Sequence, residues 1–158
     1  MPTPRLESLL ARLARGHSKT MEIFLSMDPD RWDQTLYTET QPWAARDLLA
    51  HFVSAEHRLL ELARDVASGG PGAPPGFDLD AFNADEQERL RKSTTQDLLS
   101  ELGQARQRTI AWVATLDEAR LDCIGRHPVL GEVTVETMIL AIYGHQLLHM
   151  RDLGRALG

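Results

Sequence analysis

The stretch VETMILAIYGHQLLHMRDLGRAL, residues 135–157, decides the architecture. Along it Val135, Met138, Ile142, His145, His149, Asp152 and Ala156 recur in steps of three and four. That is the spacing of a helix face turned toward a core. Thr134 suits its N-cap, because a hydroxyl there accepts from the free backbone donors of the first turn. Gly154 weakens the last turn. His145 and His149 lie near the centre of the apolar face and are four apart, so one ring stands a turn above the other on the same side.

Outward from this helix, three more amphipathic stretches follow the same period: roughly Thr3 to Met27, Trp43 to Ser68 and Thr95 to Leu116. The seam of the first is Leu6, Leu10, Leu13, His17, Thr20, Phe24 and Met27, with His17 pointing inward. The seam of the second is Leu48, Phe52, Ala55, Leu59, Leu62 and Val66. On it His51 falls about 60° from the centre, facing in, and His57 about 180° away, facing water. Pro42 fits the first turn of that helix. Ser93 with Gln96 has capping-box spacing, and Thr94 is the other possible cap.

The connections are long. Residues 28–42 open with Asp28-Pro29-Asp30, a turn signal. Residues 69–76 hold so many glycines and prolines that no helix forms there and mobility is expected. Phe82 to Arg91 fits one short helix, and Glu132–Val135 fits a brief extended piece after the breakers Pro128 and Gly131. No segment sustains two-residue alternation, so a sheet is not expected. Helices with apolar stripes bury them against each other, which predicts an all-α four-helix bundle with long crossover connections, one domain over residues 1–158.

Composition agrees. The chain has 158 residues, 42% hydrophobic and 25% charged, which suits an ordinary globular core. Seventeen Lys and Arg against 23 Asp and Glu give a net charge of −6, with no basic block to displace counterions from a polyanion. Nucleic-acid and membrane partners are therefore not expected. No apolar run approaches the ~20 residues of a membrane span, and the first residues carry Arg5, Glu7, Arg12 and Arg15 rather than an apolar signal core. The single cysteine, Cys123, has no internal disulfide partner. A cytoplasmic location is expected.

The inward histidines carry the chemistry. A buried imidazole is costly unless its nitrogens find partners. For His17 alone a hydrogen bond suffices as explanation. Two stacked imidazoles in an aliphatic seam have fewer partners, and a divalent metal solves this by taking one nitrogen of each ring. The i, i+4 pair also occurs by chance, and Gln146 stands where a zincin would carry its general-base glutamate. His51 on the neighbouring helix is the third candidate ligand; three neutral histidines leave a coordination position open. Asp152, a turn beyond His149, is either a fourth ligand, a group orienting a ring, or a salt-bridge partner at the bundle end. His127, in a loop before Pro128, is assigned no role.

Three stretches in order resemble a known family. These are Trp43-Ala44-Ala45-Arg46-Asp47-Leu48-Leu49-Ala50-His51, then Phe82-Asn83-Ala84-Asp85-Glu86 after a Gly/Pro-rich crossover, and finally Gly144-His145-Gln146-Leu147-Leu148-His149. Together they resemble the DinB-like superfamily of four-helix proteins. That superfamily includes thiol-dependent S-transferases and the N-terminal domain of mycothiol-dependent maleylpyruvate isomerases. The resemblance implies a divalent metal, zinc or nickel foremost, held by His51, His145 and His149. It also implies a low-molecular-weight thiol as co-substrate, a small electrophile as substrate, and a homodimer.

A three-histidine metal can depress the pKa of a thiol or of a water. The resemblance favours the thiol, giving an S-transferase or isomerase acting on small electrophiles. The alternatives are a metal-dependent hydrolase of reactive small molecules, of the self-protection type, and a metal- or ligand-binding bundle without turnover. Arg106 lies about 40° from the third long helix's seam and is a candidate for a substrate carboxylate, or else a snorkelling edge arginine. His17, Asp152 and Tyr143 are weaker candidates for substrate contact. Trp32, Trp43 and Trp112 fill core, pocket or dimer seam.

Overall fold

A computed structural model describes residues 1–37 and 42–157. Helix α1 spans Pro4–Leu25, α2 Ala45–Ala67, α3 Leu79–Leu90, α4 Thr95–Ala114 and α5 Val135–Leu157. Four of these are the long helices expected, and α3 is the short one, begun three residues earlier. Two small antiparallel ribbons accompany them: β1 (Thr35–Tyr37) with β2 (Trp43–Ala44), and β3 (Ile124–His127) with β4 (Gly131–Thr134). The ribbons correct the expectation of no sheet, although the extended piece near Glu132 was legible. Strands this short carry too few residues for alternation to stand out.

Local signals set the helix ends. The Thr3 hydroxyl accepts from Leu6 N, the Thr94 hydroxyl from Asp97 N at 3.0 Å and the Thr134 hydroxyl from Thr137 N at 3.2 Å. Thr94, not Ser93, is therefore the cap of α4. Pro42 lies outside α2, which begins only after Trp43 and Ala44 have paired with β1. There the Asp47 carboxylate accepts from Ala44 N at 2.8 Å, satisfying a donor at the helix start. At the C-terminus of α3, the Arg46 guanidinium donates to the carbonyls of Leu90, Arg91 and Ser93.

Helix α2 is the hub, packed on α5, α4 and α3. The core has two apolar clusters. One gathers Phe24, Leu48, Phe52, Leu98, Leu102 and Leu153; the other Leu6, Leu13, Val66, Val113, Leu121 and Met138. Between them lies a buried polar layer. Arg106 Nε and one terminal nitrogen donate to the two oxygens of Glu56 at 2.7 and 2.8 Å, and the other terminal nitrogen donates to Leu13 O. The Thr109 hydroxyl and the Gln146 amide also donate to Glu56.

The Gly/Pro-rich crossover is pinned rather than loose. Ala73 N donates to Arg126 O and Arg126 N to Pro71 O, both at 2.9 Å, which ties the crossover to β3. Gly72 makes this possible: its φ is +84° and a Cβ there would meet the Arg126 backbone. Gly125 lets β3 lie against α2, where a Cβ would run into the Val66 methyls.

Candidate metal centre

Two elements build the site. His51 sits in the second turn of α2, its ring centroid 5.0 Å from that of Trp43. His145 and His149 sit on successive turns of α5, centroids 4.6 Å apart. The α2–α5 packing brings the three together: His51 Nε2 lies 3.0 Å from His145 Nε2, which lies 3.1 Å from His149 Nε2. One ligand atom of each falls within 4.8 Å of the others.

This convergence fits a metal better than it fits hydrogen bonding among the rings. His145 Nε2 faces two other Nε2 atoms and offers either one proton or one lone pair, so both contacts cannot be good hydrogen bonds. A tetrahedral ion with bonds of ~2.0–2.1 Å holds its nitrogens about 3.3 Å apart, close to the 3.0 and 3.1 Å of the two pairs that include His145. Burial lowers all three pKa values. His51 is pushed down to about 3 by desolvation and then by the neighbouring histidines, and His145 to about 4 by desolvation, His149 and His127. His149 is lowered by burial, with the Asp152 charge opposing. Near neutral pH the rings are therefore uncharged, the form a metal needs.

The three histidines lie on the wall of a cavity of about 540 Å³. Trp43, Phe77, Phe82, Leu148 and other apolar groups make most of the remaining wall, with Arg58, Asn83 and His127 as its further polar groups.

Other candidates from the sequence fall elsewhere. Arg106 is 1% exposed, bonded to Glu56 and Leu13 inside the bundle, and does not line this cavity. It is neither a carboxylate receptor at the cavity nor a snorkelling edge residue. His17 is half-buried beside that charged layer, its pKa lowered by desolvation and by Arg106. Asp152 is exposed and stands outside the three-residue cluster. Tyr143 packs against Gly16. Of the tryptophans, Trp43 faces the cavity, Trp32 stacks on Phe24 and Trp112 packs on the second apolar cluster.

Sequence reasoning missed Glu56, Arg58, Gln146 and His127. For His127 the only available signal was the turn after it: Val129 N and Leu130 N both donate to its Nδ1 at 3.1 Å. That bent-back loop puts the ring, 7% exposed, into the cavity wall.

Fold and site together define a four-helix bundle with a three-histidine pocket that could hold a metal ion. The chain belongs to the DinB superfamily, whose family model matches residues 4–153. Solved structures share the fold. The mycothiol-dependent maleylpyruvate isomerase superposes with a TM-score of 0.78 at 17% identity, covering 98% of this chain and 61% of that one. This chain thus spans about three fifths of that protein's length. YfiT from Bacillus subtilis, described as a probable metal-dependent hydrolase with an unusual four-helix bundle topology, gives 0.75 at 16% identity, covering 100% and 90%. The colibactin self-resistance protein ClbS, solved with double-stranded DNA, gives 0.68 at 17% identity, covering 96% and 92%. No curated protein sequence matches significantly. The ClbS complex means the fold does not itself exclude nucleic acid, and the expectation of no such partner rests on charge alone. Among the described residues, no helix is long and apolar enough to cross a membrane.

Proposed function

We propose that His51, His145 and His149 hold a divalent metal, zinc or nickel, and that the protein is a thiol-dependent S-transferase or isomerase acting on small electrophiles. The observation that carries this reading is the meeting of three Nε2 atoms on the wall of a largely apolar cavity. An ion held by these three residues would supply a positive charge that lowers the pKa of a thiol bound to it. The chain's own residues do the rest. The three rings are kept neutral by burial and present lone pairs to one point. Trp43, Phe77 and Phe82 give an electrophile an apolar bed that sheds water. The likeness to the mycothiol-dependent isomerase supports a thiol as co-substrate.

The hydrolase reading has its own support in YfiT, whose described activity goes with 90% coverage of that chain. The two separate cleanly. Tag-free, metal-loaded protein is mixed with a panel of epoxides, alkyl halides and unsaturated acids, with and without a low-molecular-weight thiol. Consumption only when thiol is present supports transfer. Consumption without thiol replaces it with hydrolysis, and metal binding with no turnover leaves a binding module. The reading includes a cytoplasmic homodimer, and a monomer mass by light scattering would remove the dimer from it.

A further inference from the structure

Among the described residues, five buried side-chain atoms have no hydrogen-bond partner: His17 Nδ1, Thr20 Oγ1, Arg58 Nε, His127 Nε2 and Gln146 Oε1. Two of these, Arg58 Nε and His127 Nε2, are on residues that line the histidine cavity. Both are donors. An arginine keeps its protons at any ordinary pH. For His127 the surroundings choose the tautomer. Its Nδ1 accepts from Val129 N and Leu130 N, so it carries no proton, and the neutral ring bears its proton on Nε2. Folded proteins leave few buried donors unmatched. Two such donors on the lining of one cavity call for an acceptor that arrives with a ligand.

Charge points the same way. The lining holds one arginine and four histidines and, among the described residues, no Asp or Glu. The carboxylate beside Arg58 is that of Glu61, 3.5 Å from a terminal nitrogen, 70% exposed and outside the cavity lining. Water screens that pair and it leaves Nε free. The Arg58 guanidinium carbon lies 5.1 Å from the centre of the Phe77 ring, which holds the cation against the aromatic wall.

We propose that the cavity takes a small monoanion, a carboxylate on an apolar body, whose oxygens accept from Arg58 Nε and His127 Nε2 while the body lies against Trp43, Phe77 and Phe82. Arg58 and His127 are thus specificity-determining residues. A neutral apolar molecule leaves both donors unmatched, and a polyanion finds a single guanidinium. The inference rests on the reading of this cavity as the reactive pocket.

The test uses three near-isosteric probes, 3-phenylpropanoate, 3-phenylpropanamide and 3-phenylpropanol, titrated by calorimetry into metal-free and zinc-loaded protein. The acid is expected to bind at least tenfold more tightly than the alcohol in both forms, with the amide between them. Arg58→Met keeps the apolar stem and removes the donor. His127→Asn keeps an acceptor oxygen for the Val129 and Leu130 N–H groups and removes the Nε2 donor. Each is expected to cut the acid preference at least fivefold with zinc content unchanged. Equal binding of acid and alcohol overturns the proposal, as does a preference that neither substitution moves. A preference seen only with zinc assigns the carboxylate to the ion and also overturns it. Acid preference in protein that takes up no zinc leaves this anion site standing and removes the reactive centre. Zinc uptake without acid preference does the reverse.

Discussion

His149 stands on α5, its Nε2 3.1 Å from His145 Nε2 and its ring centroid 5.6 Å from that of His51 and 5.8 Å from that of Phe52. Replacing it with alanine removes one of the three proposed ligands and, of the two apolar clusters, neither of which includes His149 itself, trims only a ring contact to Phe52. His149→Ala is therefore expected to keep the helical circular dichroism of the parent and lose its metal; retained metal would contradict the ligand set. The histidines also predict a pH dependence of the metal-free protein. The folded-state values of His51 and His145, about 3 and about 4, lie below the unfolded 6.5. The unfolded chain thus binds more protons between these values, so stability is full above pH 6.5 and falls as pH drops toward 4. From pH 7 to 5 the loss is up to ~2 kcal/mol per ring. Urea midpoints across that range check it, and a flat profile would sink it. The His145–His149 spacing was plain in the sequence, but the centre of the seam was not. The buried line runs Val135, Met138, Ile139, Ile142, Gln146, Met150 and Leu153, one residue over from the histidines in its second half. A straight helix drifts about 20° per heptad against a strict three-and-four count. That drift hands the core centre to Gln146 and turns the histidines to the cavity.

At the scale of elements, α2 and α4 are joined by the Glu56–Arg106 pair. The charges hold because each has its partner and further hydrogen bonds. Arg106→Met alone strands a buried carboxylate and is expected to cost ~3–5 kcal/mol. Glu56→Leu combined with Arg106→Met is expected to cost less than Arg106→Met alone, because neither charge is then left unpaired. Additive losses in urea unfolding would show that the pair is not coupled. Helical period placed Arg106 inward but could not name its partner, since Glu56 is fixed by the relative rotation of two helices. Gly125→Ala tests the docking of β3 on α2: the added methyl meets Val66 and is expected to cost ~1–3 kcal/mol by overpacking. The ribbon behind that contact escaped the sequence for a local reason, four residues per strand with Gly125 inside one of them.

Over the whole molecule, the metal reading predicts linkage between binding and stability. An ion that binds only the folded chain adds about 2.7 kcal/mol at a hundred times its Kd, a rise of roughly 5–10 °C in Tm for a chain of this size. The bundle was legible throughout because four long 3.6-period stretches have no other way to bury their stripes. The cavity was less so, since its wall draws Phe77 and His127 from connections whose path depends on Gly72, Gly125 and the β3–β4 turn. The most direct measurement is X-ray absorption at the metal edge on tag-free protein. One ion per chain with three imidazole nitrogens at ~2.0–2.1 Å, lost in His51→Ala, is the predicted result. A chain that retains no ion, or one whose ligand shell is unchanged in His51→Ala, would contradict it.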